Sequence, residues 1–267
     1  MSSPSLLFVG CGHMGTPLLQ GIDRTHFSTI TLLKPSTPDV SLDGLYTHYA
    51  ASAEDLAEHY DIILLAVKPQ QFQEAALSLR GRFTPETLFI SVMAGKTIMD
   101  IGETLNLTTN PIIRAMPNIP AQVGAGITVL YGNAFAHTQA RETATGVFKP
   151  CGETLWLAQE NLIDTATALS GSGPAYFFLT LEALSAAGQA NGLTETDALK
   201  LASTTLRGVA ALIDSAPQKL PSQWRHDVTS AGGTTEAAVD ILMSAEGTLP
   251  RLYQDAIRAA IKRAQSL

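Results

Sequence analysis

Charge is scarce in this sequence. Charged residues make up 15 % of it, and the formal net charge is −7. No basic run is present, so a nucleic-acid partner is not expected. So little charge also hints that part of the surface is hidden in an oligomer. Cysteine is nearly absent: Cys11 and Cys151 are the only two. They have no metal-binding spacing, so no metal site is expected, and reduced thiols in the cytoplasm are the simplest reading. No stretch reaches ~18 uninterrupted apolar residues, so no membrane span is expected. The first residues, MSSPSLLFVG, lack a charged region ahead of a long apolar run. No signal peptide is therefore expected. The six histidines are scattered, and no His/Asp/Ser constellation stands out.

Apolar residues are abundant, at 45 % of 267. That suffices for one large domain or two modest ones. The informative stretch is Leu6–Gly15, LLFVGCGHMG. Leu6 to Val9 read as a short buried strand. Gly10, Gly12 and Gly15 follow as G-x-G-x-x-G. The first permits a tight turn, the second lets a pyrophosphate approach, and the third lets the next helix lie against the strand. The helix N-terminus adds free N–H groups for the phosphates. Cys11, inside this turn, reads as a small residue that fits there.

Thr29–Leu33 reads as a second strand. Where a NAD site carries an acid, this chain has Lys34, then Pro35, Ser36 and Thr37. A cation and two hydroxyls suit a 2′-phosphate, so NADPH is expected over NADH. Tyr46–Tyr49 reads as a third strand, and Ser52 with Asp55 as the capping box of a helix to about Tyr60. Asp61–Val67 reads as a central parallel strand. Pro69 then starts a helix to about Arg80. Ala66, Val67, Lys68 and Pro69 fall at the strand's carboxyl end, where an α/β sheet binds ligands. Lys68 reads as a positioning residue. Leu88–Val92 is a further strand, and Met93, Ala94 and Gly95 after it leave room for a flat ring. A helix from about Thr97, strands at Ile112–Met116 and Gly126–Tyr131, a helix at Ala136–Lys149 and a last strand at Thr154–Leu157 complete the half. The alternation predicts an α/β, Rossmann-type doubly wound sheet over 1–158.

From about Glu160 the β signal vanishes, and an all-α domain is expected over 159–267. Ser170-Gly171-Ser172-Gly173 reads as a break, after which Pro174 starts a helix to Ala190. That helix has Glu182 as its only charge, so burial is expected. A domain of this size can hardly enclose it alone, and docking against a second subunit would do so. Further helices are expected from Thr194 to Ser215, over Leu220–Val228, from Thr235 and from Leu249. Between them lies Ser230–Thr235, SAGGTT. Gly232 and Gly233 leave backbone amides open, Thr234 and Thr235 begin a helix, and three hydroxyls stand near. Together they suit a small carboxylate.

The sequence resembles the pyrroline-5-carboxylate reductase family. The resemblance rests on the Gly10–Gly15 loop, Ala66–Pro69, Arg114–Gly126 as RAMPNIPAQVGAG, Ser170–Tyr176 as SGSGPAY and Val228–Thr235 as VTSAGGTT. It implies an N-terminal Rossmann domain, a helical domain interlocking with a second subunit, and NAD(P)H as hydride donor. It also implies imine reduction to proline at Ser230–Thr235. On this reading Ser230 and the amides of Gly233 and Thr234 hold the substrate carboxylate, Gly232 keeps the approach clear, and Thr235 bonds the ring nitrogen. His13, Met14 and Asn118 complete the expected cofactor contacts. The chain departs from the family pattern at Ala53, where asparagine is frequent, and at Met93 and Ala231, where alanine and proline are usual. Asp227 stands where a neutral amide is common. Two other activities remain open on the residues: a reductase of another cyclic imine or a hydroxy acid, and a non-catalytic nucleotide-binding regulator.

Overall fold

A computed structural model describes residues 3–12, 14–244 and 249–266. The chain divides into two compact units. One runs to Ser172 and takes in the chain from Ala260 on; the other is Gly173–Ala259.

The first unit opens with β1 (Ser5–Val9), α1 (Gly15–Gly21), β2 (Thr29–Leu33) and β3 (His48–Ala50). It continues with β4 (Ile62–Leu65), α2 (Phe72–Ser78), β5 (Leu88–Ser91), α3 (Ile98–Leu105) and β6 (Ile112–Met116). β7 (Gly126–Gly132), α4 (Thr138–Phe148), β8 (Gly152–Trp156) and α5 (Leu162–Ala166) follow. The eight strands form one sheet in the order β3-β2-β1-β4-β5-β6-β7-β8. The first six are parallel throughout. β1 therefore has β2 on one side and β4 on the other, so the strand order reverses there, as at a nucleotide-binding crevice.

Alternation along the strands builds the core. Leu6, Phe8, Leu32, Leu64 and Ile90 pack into a cluster on one face. Their neighbours Leu7, Val9, Leu33, Leu65 and Phe89 pack on the other. Successive strand residues point to opposite faces, so a continuous apolar run is what a sheet covered on both sides requires. Phe8 and Phe89 are fully buried, and truncating either to alanine would cost about 3–5 kcal/mol.

Two local expectations give way to the structure, and a third holds with a difference in detail. β7 runs antiparallel to β6, because only a short 3₁₀ turn (Ile119–Val123) and loop join them, with no crossover helix. Ser52 and Asp55 do form their capping box, but the helix ends after one turn, Ala53–Asp55. The Arg82 guanidinium takes the carbonyls of Ala53, Leu56 and Ala57, and the Ala57 N–H donates to the Tyr60 hydroxyl. Side chains thus satisfy groups that a helical ladder would have used. The break expected at Ser170–Gly173 is present as a bend at Ser172, after which a new helix starts at Gly173. The turn before it is wider than expected: the chain runs through a π-turn, Thr167–Gly171, with Ser172 N–H reaching the Thr167 carbonyl at 2.9 Å. Thr167 and Ser170 hydroxyls donate to the carbonyls of Ile163 and Ala166. Ile163 packs with Met116 and Val129, which is why the chain after β8 stays with the sheet as far as Ser172.

The second unit contains α6 (Gly173–Ala190), α7 (Glu195–Ser215), α8 (Pro221–Asp227) and α9 (Thr234–Leu242); α10 (Leu249–Ala264) closes the chain. α6 packs on α7. A Cβ at Gly188 would stand 3.1 Å from Ala198 Cβ, so the two helices approach closely there. The Thr194 hydroxyl caps α7 by accepting from the Asp197 N–H at 3.1 Å. Within one chain, α6 is not buried as its composition predicts. Phe177 and Phe178 are 57 % and 60 % exposed, and Leu179 and Leu184 are exposed as well.

Candidate functional site

Register places five loops at one edge of the sheet. Val9 pairs with Leu33 and with Leu65, and Leu65 with Ser91. Ser91 in turn pairs with Arg114 of β6. The residues that follow these strand ends are the glycine turn, Lys34–Ser36, Ala66–Pro69, Met93–Gly95 and Asn118. The first unit thus brings the expected cofactor residues to one edge.

The glycine turn is built around close approach. Gly10 has φ +83°, and a Cβ on it would lie 2.7 Å from Val67 Cγ1 and 3.0 Å from the Ala66 carbonyl oxygen. A side chain there would be both strained and obstructed. Gly15 lies against the Gly10 carbonyl, Ala66 and Phe8, so α1 sits directly on the strand ends. Gly12 differs: a Cβ there would meet nothing within 4 Å. The open side of the turn is where a phosphate-bearing ligand would approach. Met14 is the N-cap of α1 and offers no side-chain cap. The Thr16 N–H is spent on the Gly12 carbonyl at 3.0 Å and Pro17 has none, so Gly15 carries the first-turn N–H left for an anion. His13 lies outside the described residues.

Lys34 follows β2, anchored by its N–H to the Ala50 carbonyl at 3.0 Å and by its own carbonyl, which accepts from the Tyr49 hydroxyl. Its charge reaches in two directions, favouring the anionic forms of Cys11 and Asp39. Asp39 is held below its usual carboxylate range chiefly by the Ser41 backbone N–H. For Cys11 burial outweighs the help from Thr16 and Lys34, and the thiol is pushed up. Burial likewise raises Cys151 to about 11. Neither cysteine is therefore a thiolate near neutral pH. Ser36 and Lys68 are exposed, while Ala66, Val67 and Pro69 are half-buried. The Ala66 N–H is spent on Val9.

Two expected contacts are otherwise occupied. The Met93 side chain is buried in the core, and Ala94 and half-buried Gly95 form the accessible part of that loop. The Asn118 amide is spent internally: it donates to the Ser170 carbonyl at 3.1 Å and accepts from the Ile127 N–H at 2.9 Å. Its side chain ties β6, β7 and the π-turn together. Sequence reasoning did not single out Glu160. Its carboxylate accepts from the Arg114 guanidinium at 3.0 Å and from the Ile98 N–H at 2.8 Å, at the start of α3. The signal was Arg114 itself, a charge inside a buried strand, which demands a partner.

In the second unit, SAGGTT forms a tight loop into α9. Gly233 is the N-cap, so the N–H groups of Thr234 and Thr235 open the helix without intrahelical acceptors. The Gly233 N–H itself is not open, because it donates to the Ser230 carbonyl at 3.0 Å. A Cβ on Gly233 would collide with Ser230, which puts that hydroxyl against the loop. Just upstream, Asp227 pairs with Lys219, and this bond holds its carboxyl below the usual range. Lys219 also lies 3.5 Å from the Trp224 ring centroid. Among the described residues no cluster of His, Cys, Asp or Glu is arranged to hold a metal ion.

Comparison with known proteins decides the family. Residues 160–267 match the family model for pyrroline-5-carboxylate reductase dimerisation, and residues 5–95 that of NADP oxidoreductase, coenzyme F420-dependent. The pyrroline-5-carboxylate reductase of Pseudomonas aeruginosa is 34 % identical, over 100 % of this chain and 98 % of its own. The chain belongs to the pyrroline-5-carboxylate reductase family. Two solved members have the same fold. The enzyme from Coxiella burnetii superposes with a TM-score of 0.88 at 32 % identity, covering 99 % of this chain and 98 % of its own. That from Plasmodium falciparum, solved with NADP bound, gives 0.85 at 28 % identity, over 100 % and 98 %. As a family member this chain is an NAD(P)H-dependent oxidoreductase that reduces 1-pyrroline-5-carboxylate to proline. Its C-terminal match is to a dimerisation model and takes in α6, whose apolar side chains are exposed within one chain.

Proposed function

We propose that the cofactor binds across the sheet edge of the first unit, over residues 1–158, and that the SAGGTT loop of residues 159–267 holds the imine. The observation that carries the cofactor half is the contrast between Gly10, packed against Val67, and Gly12, open on its outer side. The residues fit a dinucleotide: the turn leaves amides for the pyrophosphate, and Lys34 with Ser36 faces a 2′-phosphate. When bound, the nicotinamide supplies the hydride that reduces the imine carbon.

The chain's own residues bind and orient. The N–H groups of Thr234 and Thr235, with the Ser230 hydroxyl, hold the substrate carboxylate, helped by the positive end of α9. Because Gly233 spends its N–H on Ser230, the carboxylate seat lies one residue further along than the sequence suggests. The Thr235 hydroxyl bonds the ring nitrogen. That nitrogen enters as a protonated iminium, so no strong protein acid is required. It leaves as an amine, whose new lone pair accepts the Thr235 hydrogen. Orientation does most of the catalytic work. The assembly is a homodimer, or a larger oligomer built on dimers, through the apolar faces of the helical half. Two free cysteines suit a reducing compartment such as the cytoplasm, and a net charge of −7 argues against nucleic acid.

Thr235→Ala tests the substrate half. It removes one hydrogen bond made in the transition state, worth roughly 1–3 kcal/mol, or about ten- to a hundredfold in kcat/KM. NADPH affinity should stay near that of the parent, and Thr235→Ser should recover much of the loss. An alanine variant that turns over like the parent would place the imine elsewhere.

A further inference from the structure

The SAGGTT loop carries a carboxylate of its own. Glu236, in the first turn of α9, reaches back so that its Oε2 accepts from the Gly232 N–H at 2.7 Å. Gly232 stands at φ +71°, a left-handed conformation that glycine adopts without strain. The next amide, Gly233, donates to the Ser230 carbonyl at 3.0 Å. Two consecutive loop amides are thus consumed inside the chain, and those of Thr234 and Thr235 are the next in line at the helix start. Without Glu236, the Gly232 N–H would compete for any anion bound at the loop, and only the turn closed between Ser230 and Gly233 would hold the glycine in its left-handed conformation.

We propose that Glu236 is a positioning residue for substrate: it occupies the Gly232 amide, locks the loop, and so directs the imine carboxylate to Thr234 and Thr235. This rests on the assignment of the loop to the imine. Two other roles for the same glutamate make different predictions. A simple helix cap would affect stability alone. A bare negative charge beside a carboxylate substrate would weaken binding, so its removal would improve KM.

Steady-state kinetics on Glu236→Ala and Glu236→Gln in the intact oligomer separate the three, with thermal melting and NADPH affinity measured alongside. Loss of one charge-assisted hydrogen bond should raise the KM for 1-pyrroline-5-carboxylate roughly five- to tenfold in the alanine variant, a larger change than in kcat. Glutamine keeps an acceptor for Gly232 and should restore KM to within about twofold of the parent, since a neutral acceptor forms the weaker bond. NADPH affinity should be unchanged in both. A lower melting temperature with parental KM in Glu236→Ala would overturn the proposal in favour of a cap. A lower KM in both variants would overturn it in favour of repulsion. If the unaltered chain does not turn over the imine, the loop assignment itself fails, and the proposal with it.

Discussion

Arg114 and Glu160 are joined at 3.0 Å, the arginine side chain 6 % exposed and the glutamate 27 %. The same carboxylate oxygen takes the Ile98 N–H. One glutamate therefore ties β6 to the start of α3, and through α3 fixes the loop of Met93–Gly95. Glu160→Ala leaves a nearly buried guanidinium unpaired. Breaking such a pair from one side costs about 3–5 kcal/mol, and the partial exposure of Glu160 puts the expected value at the low end. Urea denaturation of the parent and the variant checks this; an unchanged midpoint would mean that solvent replaces the pair.

Gly10 and Gly12 should respond differently to an added side chain. Gly10→Ala forces a side chain into φ +83° and against Val67, at roughly 1–3 kcal/mol for the backbone alone. It should lower both stability and NADPH affinity. A Cβ at Gly12 meets nothing within 4 Å, so Gly12→Val should melt close to the parent while losing NADPH affinity at least tenfold. Paired melting and fluorescence titrations read both effects. A Gly12→Val variant that binds normally would remove the glycine turn from the cofactor site.

Asp100 gives stability a definite pH dependence. Its carboxylate accepts from the Thr97 N–H at 2.8 Å and from the Thr97 hydroxyl, and the backbone N–H is the largest cause of its lowered pKa. A carboxyl whose folded pKa is depressed contributes fully above its unfolded value, about 3.9, and loses that contribution as pH falls through the folded value. Asp100→Asn should cost about 1 kcal/mol at pH 7. The gap from the parent should narrow as pH drops from about 4 towards 2, which melting curves across that range would show. A gap that stays constant would assign the effect to hydrogen bonding without charge.

The helical half should not stay monomeric. Phe177, Phe178, Leu179 and Leu184 are exposed within one chain, and an exposed apolar surface of that kind marks an interface. Ala187→Glu places a charge on the same helix and should dissociate the oligomer at micromolar concentration. Sedimentation velocity checks this; an active monomer in the unaltered protein would contradict it.

The glycine turn of the candidate cofactor edge was legible because its residues are constrained by backbone geometry. Gly10 and Gly15 have no room for a side chain, and sequence spacing records that directly. Strand identity was legible for the same reason, since β1, β4 and β5 are apolar on both faces. What could not be read were the long-range partners of polar groups. The helix after Ser52 stops because Arg82, far along the chain, claims its carbonyls. Asn118 looks free in sequence, yet Ser170 and Ile127 use both ends of its amide. β7 reverses direction although its composition matches a parallel strand. Gly233 looks like an open amide until the turn back to Ser230 is known. The composition of α6 was correctly apolar, but which surface covers it is a property of the assembly.

The central claim is that this chain transfers hydride from a nicotinamide cofactor to 1-pyrroline-5-carboxylate, with Lys34 favouring NADPH. The direct measurement is NADPH absorbance with purified protein and the imine, repeated with NADH and with Lys34→Asp. The expected result is imine-dependent NADPH loss with proline formed in equal amount, a higher kcat/KM for NADPH than for NADH, and a shift toward NADH in Lys34→Asp. NADPH that binds but is not consumed with the imine present would contradict the claim and leave a nucleotide-binding protein without this activity.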